Sequence, residues 1–246
     1  MDRIWATFDD DIEIISYADK YEQGSMTALK RSFFANEMVC IGTEVNKCPQ
    51  AQEDLSILCL ETAKDGVSLL ARDKRSGEIV GFLFNKIQFP SENPDETSYF
   101  EYFRDNKCKS ESSKALMTYM IEMDSKVDVF EKFDVDCLME LMFLGVIPEY
   151  GKRGIATRLC EVAVKIAKGL KNNEYTELLS ENIKDKRPQL VAVLWTSRFS
   201  QRVGGKLQFK TLHEESHSNF SFNGKSFAER IGELKHPSST LAVKMI

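Results

Sequence analysis

Gly151-Lys152-Arg153-Gly154-Ile155-Ala156 joins an apolar run to an amphipathic helix in the second half of the chain. Ahead of it, Leu138, Leu141, Met142, Phe143, Leu144, Val146 and Ile147 read as a strand covered on both faces and stopped by Pro148. Behind it, Leu159, Val162, Ala163, Ile166 and Ala167 recur at helical spacing. Small residues at such a junction let backbone N–H groups come close to a ligand. The helix start adds unpaired donors and a partial positive charge, so the junction suits an anion, most often a phosphate. The spacing matches neither G-x-x-x-x-G-K-[ST] nor G-x-G-x-x-G, which excludes a P-loop and a dinucleotide fingerprint. On these six residues alone, the alternative to an anion site is an ordinary strand-to-helix turn.

Four other side chains have types suited to proton transfer. Glu37 stands where the first helical stretch breaks, and position alone makes it a solvated surface acid. Glu140 is a charge inside the apolar strand, and buried carboxylates are rarely idle. Thr196 and Ser200 are four apart at the start of a helix, with Thr196 or Ser197 as its cap and Ser200 an ordinary polar helix residue. Lys152 and Arg153 would by themselves be a solvated loop pair.

The elements that must position these groups can be read in order. Residues 1–12 suggest a short arm or edge strand, and Ile12–Tyr17 alternates as a first strand. Helical spacing covers residues 19–34 and Gln52–Lys64, followed by a hairpin of Val67–Asp73 with Ile79–Gln88. A polar loop opens at Pro90, and a long helical segment spans about residues 112–130. After the central strand and helix come a polar stretch over 171–188, a buried strand Leu190–Trp195 and a short helix over 196–207. Phe209–His213 and Leu241–Met245 are the last strands, with a polar insertion over 216–239 between them. The mixed order reads as one α/β or α+β domain over residues 1–246 with a central twisted sheet.

The chain has 246 residues, of which 42% are hydrophobic, enough for a sizeable core. A net charge of −5 argues against a general nucleic-acid binder. Six cysteines without a C-x-x-C pair, and three histidines without metal spacing, predict no metal site and reduced thiols in a cytosolic protein. The acidic N-terminus is no signal peptide, and no run approaches the ~18 apolar residues of a membrane span.

With its Leu144-Gly145-Val146-Ile147-Pro148 lead-in, the Gly151–Ala156 loop resembles the acetyl-CoA pyrophosphate loop of the GNAT N-acyltransferases. Gly154 and Ala156 match its two small positions, whereas Gly151 stands where that family usually has Gln or Arg. Phe33-Phe34-Ala35-Asn36-Glu37 is similar to a segment of insect arylalkylamine N-acetyltransferases whose Glu is the catalytic base. Asn36 and Met38 depart from its Asp and Pro. Trp195–Val203 and Lys206-Leu207-Gln208-Phe209 are similar to that group's Ser/Thr-rich junction and its ending, with Gln208 replacing a Gly. The resemblance runs from about Ile12 to Phe209 and leaves the 216–239 insertion uncovered.

The resemblance implies a GNAT fold, a mixed sheet of about seven strands flanked by helices. It implies acetyl-CoA as acyl donor, a small primary amine as acceptor, and direct transfer in a ternary complex. Glu37 would be the general base, with Glu140 as rival. Thr196 and Ser200 would support acetyl-CoA or its leaving thiolate. Leu144, Gly145 and Val146 would pair with the pantetheine arm where two strands split. Gly151, Lys152, Arg153, Gly154, Ile155 and Ala156 would hold the phosphates. Gly204 occupies the place of the Tyr that many GNAT enzymes use as general acid. The loop from Pro90 to Asp105 and the 171–188 segment would help shape the amine pocket. Dopamine, tyramine, octopamine, serotonin or tryptamine would be the acceptor. Alternatives are a polyamine or agmatine acceptor, and a CoA-binding module without catalysis. A monomer or weak dimer is expected, with neither nucleic acid nor membrane as partner.

Overall fold

The computed structural model describes residues 2–9, 11–90, 98–232 and 234–246. Strands β1 (Ile4–Phe8) and β2 (Ile12–Ser16) lead into α1 (Glu22–Leu29), which passes into a π-helical turn at Lys30–Phe34. Then come α2 (Met38–Gly42), α3 (Pro49–Ala63), and the hairpin β3 (Leu69–Asp73) and β4 (Ile79–Gln88). Three helices follow: α4 (Tyr99–Asn106), α5 (Glu111–Asp124) and α6 (Val129–Phe133). The second half holds β5 (Leu138–Val146), α7 (Ile155–Lys171), β6 (Leu190–Trp195), α8 (Arg198–Lys206) and β7 (Lys210–Ser216). A small hairpin of β8 (Ser221–Phe222) and β9 (Lys225–Ser226), the helix α9 (Phe227–Ile231) and β10 (Ser238–Met245) complete it.

The main sheet has eight strands in the order β1-β2-β3-β4-β5-β6-β10-β7. All neighbours run antiparallel except β5 and β6. About seven strands were expected; the difference is β1, which the edge residues 4–8 add beside β2. Helices cover both faces. Gly81 on β4 meets Ile155 of α7, while Gly145 on β5 meets Ser32 of the π-helical turn.

Local chemistry sets the boundaries. Pro49 begins α3 at its first turn, where a missing N–H costs nothing. Ser98 and Glu101 form a capping box at the start of α4, and Ser110 caps α5. The helix expected over 112–130 is divided, because the Asp128 side chain accepts from the Glu131 N–H and starts α6 afresh. Residues 91–97 of the loop after β4 lie outside the described residues. The polar stretch after α7 forms two short 3-10 turns, at Thr176–Leu178 and Glu181–Ile183.

Two expectations need correction. β5 is not covered on both faces: burial alternates along it, and Glu140, Met142, Leu144 and Val146 are only half-buried. The cleft where β5 parts from β6 is the reason. The 216–239 segment is not a polar insertion either. It buries His217, Phe220, Phe227 and Ile231, and its α9 packs on α2. A Cβ at Gly42 would stand 2.6 Å from the Phe227 ring. Replacing Gly42 by Ala should therefore cost about 1–3 kcal/mol of unfolding free energy through overpacking. Urea denaturation measures this, and an unchanged midpoint would mean that α9 is loosely seated.

Candidate active site

The site is built around a split in the sheet. β5 pairs with β6 only over Leu138–Leu141, against Leu190–Val193. On its other edge β5 stays with β4, but the register slips: Phe84 faces Phe143 while Asn85 faces Leu141. Met142 is thus the extra residue of a β-bulge, which bends a strand and re-aims its side chains. Beyond it, β5 leaves β6. A cavity of about 330 Å³ opens there, lined by Leu144, Gly145 and Val146 from one strand and Leu194, Trp195 and Thr196 from the other. Past Leu141 the backbone groups on that edge of β5 have no strand partner, so they are free to pair with an extended ligand arm.

The loop after β5 has the form of an anion cradle. Lys152 takes φ +64° and Gly154 φ +83°, both left-handed. Gly154 is the N-cap of α7, and no side chain caps that helix. The first N–H groups of the 17-residue α7, Ile155 and Ala156 among them, therefore start without a side-chain partner. Gly151 has ordinary φ, and its N–H bonds the Pro148 carbonyl at 3.0 Å. Arg153 is not free: its guanidinium pairs with Asp9 at 2.7 Å and lies over the Tyr150 ring. The loop's charge toward an incoming phosphate thus rests on Lys152 and the helix terminus.

Glu37 lies on the cavity wall. It is the N-cap of α2, where Oε2 accepts from the Cys40 N–H at 2.7 Å. Its Oε1 accepts from Thr196 Oγ1 at 2.6 Å. The π-helical turn just before it carries Phe33, whose ring meets Phe143 edge-on at 5.5 Å. Burial, then the Glu37 charge, pushes the Cys40 thiol well up, so Cys40 is a poor nucleophile.

The structure separates Thr196 from Ser200, which their spacing had placed together. Ser197 is the cap of α8, in a capping box with Ser200, while Thr196 turns to Glu37. Ser200 still lines the cavity, with Ser197 Oγ 3.0 Å from its hydroxyl. Gly204 faces the Trp195 indole, which fills the space a side chain at 204 would need. No tyrosine can stand there while Trp195 keeps that position.

Glu140 sits deeper, where Gln88 Nε2 donates to its Oε2 at 2.6 Å. It shares the cavity with Asp124. The same two acids also line a second cavity of about 530 Å³ running under α4 and α6. Asp124 keeps an exposed surface, yet protein atoms surround its carboxyl closely. Burial, then the Glu140 charge, holds its carboxyl well above the usual range. Burial also raises Glu140, against the pull of the Gln88 hydrogen bond. Among the described residues lining the second cavity, Glu101, Asp124, Asp128 and Glu140 are acids and none is Lys or Arg.

Sequence reasoning missed Asp124, Gln88 and the Thr196–Glu37 bond, which joins residues 159 positions apart. No local pattern signals such a contact. Among the described residues, no group of three or more His, Cys, Asp or Glu is placed to hold a metal ion. No described helix is long and apolar enough to cross a membrane.

No protein-family profile and no curated protein sequence matches the chain. Solved structures do. Arylalkylamine N-acetyltransferase 2 from Aedes aegypti superposes with a TM-score of 0.76 at 24% identity, over 96% of this chain and 99% of that one. A mosquito arylalkylamine N-acetyltransferase-like protein, 5b, gives 0.77 at 15% identity, over 96% of this chain and 100% of that one. The Drosophila melanogaster polyamine N-acetyltransferase that forms N-acetylagmatine gives 0.71 at 18%, over 96% and 100%. With its split sheet, its strand–loop–helix cradle and these superpositions over nearly the whole chain, this protein has the GNAT fold of the N-acetyltransferases.

Proposed function

We propose that this protein is an acetyl-CoA-dependent N-acetyltransferase acting on a small primary amine. The observation that carries the reading is Glu37, a carboxylate held by the Cys40 N–H and Thr196 Oγ1 in the same cavity as the unpaired edge of β5. The groups present suit acetyl-CoA. The open start of α7 behind Gly154 suits its pyrophosphate, and the free edge of Leu144–Val146 suits its pantetheine amides. When bound, acetyl-CoA supplies an acyl carbon activated by a good leaving group.

The protein's part is proton management and placement. An alkylamine pKa near 10 means that the acceptor arrives protonated. Glu37 takes that proton, directly or through one water, and frees the lone pair for attack. The Cys40 N–H and Thr196 keep the carboxylate in one rotamer, so no reorganisation is needed at that moment. Direct transfer in a ternary complex needs no acyl-enzyme.

The finer reading is an arylalkylamine acceptor such as dopamine, tyramine, octopamine, serotonin or tryptamine. Phe33, Phe143, Phe199, Met120 and Met142 give the cavity wall an apolar, aromatic character that fits a ring. The structural likeness to arylalkylamine N-acetyltransferases supports the same class. A second reading, agmatine or a polyamine, is favoured by the Asp124–Glu140 pair between the two cavities. An ammonium group placed beside this pair would favour its ionised form.

A thiol-release assay with acetyl-CoA against both amine classes tests the reading. Glu37→Gln should cut kcat by about 10²–10⁴-fold while leaving acetyl-CoA affinity near the parent's. Equal turnover by the variant would remove Glu37 from the mechanism. The acid pair has its own tests. Asp124→Asn should weaken kcat/KM for agmatine and spermidine by about tenfold or more, and for tryptamine hardly at all, if a dication is the acceptor. It also changes stability with a defined sign. A raised native pKa means that the native state keeps a proton which the unfolded chain releases above pH ~4. The parent therefore loses stability through this pair as pH rises. Asp124→Asn should unfold at higher urea than the parent at pH 7, the gap closing below pH ~4. A gap independent of pH would mean that the pair is not strained.

A further inference from the structure

The 216–239 segment brings into the core a histidine that the chemistry above does not use. His217 is fully buried. Its Nδ1 lies 2.8 Å from the His236 carbonyl oxygen. A carbonyl only accepts, so Nδ1 carries the hydrogen and Nε2 is bare. Nε2 lies 2.8 Å from Ser239 Oγ, so the Ser239 hydroxyl donates to it. The Tyr119 hydroxyl in turn donates to Ser239 Oγ at 2.6 Å. The chain Tyr119–Ser239–His217 therefore has one direction, with its acceptor end on the imidazole.

Its other end meets the cavity, since Tyr119 is among the residues that line it together with Glu37. The Tyr119 ring packs edge-on against Phe220 at 4.7 Å and tilted against Phe227 at 5.8 Å, both from the 216–239 segment. The hydroxyl is thereby held on Ser239. Glu37, His236 and, through Ser239, Tyr119 are titratable groups near His217. Burial lowers its pKa, so the resting imidazole is neutral with a bare Nε2; the His236 carbonyl and the Glu37 charge are what favour a proton on it.

We propose that Tyr119, Ser239 and His217 form a proton relay that removes the second proton from the acceptor nitrogen. The proposal rests on the N-acetyltransferase reading. A primary ammonium has three N–H bonds and the product amide one, so two protons must leave. Glu37 takes the first before attack. Formation of the C–N bond leaves the nitrogen cationic. One of its N–H bonds then breaks toward the Tyr119 oxygen, and the bonding pair stays on nitrogen. The Tyr119 proton passes to Ser239 Oγ and the Ser239 proton to His217 Nε2. Both hydroxyls end neutral and His217 becomes an imidazolium, a charge that Glu37 favours. The sulphur leaves with the C–S pair and is protonated by water. After product release the same atoms return the His217 proton to cavity water.

The test combines three variants with solvent isotope measurements. Tyr119→Phe removes one hydroxyl and keeps the ring packing; Ser239→Ala and His217→Gln break the chain further in. All three should lower kcat by about 10²-fold with acetyl-CoA affinity near the parent's. The kcat of the parent, followed through H2O–D2O mixtures, should fall on a curve, because several protons move together. That of Tyr119→Phe should fall on a straight line. A Tyr119→Phe variant that turns over like the parent sinks the relay, and so does a straight line for the parent. Loss of folding in Ser239→Ala or His217→Gln leaves Tyr119→Phe to decide. Parent silence toward every amine, with acetyl-CoA still bound, would instead overturn the N-acetyltransferase reading and the relay with it.

Discussion

The separation of β5 from β6 after Leu141 is the constraint on which the site depends. Two parallel strands in a sheet saturate each other's backbone, and a saturated edge cannot take a ligand. The bulge at Met142 ends that pairing while the β4 side continues, so the sheet stays one sheet and still opens. It also changes which side chains share a face. Glu140 pairs with Lys86 and Phe143 with Phe84, and residues 84 and 86 of β4 point the same way. Without the extra residue, Glu140 and Phe143, three apart, would point to opposite faces. With it, the acid and the aromatic wall belong to one cavity.

The second element of the site is a carboxylate used twice. As N-cap of α2, Glu37 satisfies an orphan N–H, worth about 1 kcal/mol to such a helix. As hydrogen-bond acceptor for Thr196, it ties the first third of the chain to the end of β6. Each carboxylate oxygen accepts one bond, so the same contacts that fix the helix start also fix the direction of the side chain. α2 has only five residues and cannot stand by propensity. It is held from behind by α9, through the Gly42–Phe227 contact, and by Arg230 and Asn223 on Glu44.

What was legible in the sequence follows from the range of the interactions involved. The strand–loop–helix of β5 and α7 is written in local periodicity and in small residues at fixed offsets. β6 is bounded by Leu190 and Trp195 as its apolar run suggests. The edge position of β1 and the hairpin β3–β4 are likewise local. The pairing of Glu37 with Thr196 was not legible, because helical spacing offered Ser200 as the nearer partner. Capping decided otherwise: Ser197 and Ser200 satisfy each other at the start of α8, which leaves Thr196 outside the helix and turned toward α2. The half-burial of β5 was hidden for a different reason. An apolar run reads as covered whether its cover is protein or an empty cleft of the same polarity.

The 216–239 segment was the least readable part, since its composition is polar and its role depends on a few residues. Ser, Asn and Lys form its turns, while His217, Phe220, Phe227 and Ile231 face inward. Inward residues spaced three to seven apart, in a segment that changes from 3-10 turn to hairpin to helix, carry no single period. Their effect is nonetheless concentrated. Phe227 seats α2, Phe220 and Phe227 flank Tyr119, and His217 terminates the hydrogen-bond chain from that tyrosine. A segment that touches both the helix that Glu37 caps and Tyr119 constrains the geometry between two groups of one cavity. Changes in it should therefore act on the chemistry before they act on the fold, because only its ends, Ser216 opposite Ser238 and Ser239 opposite Glu215, pair in the main sheet.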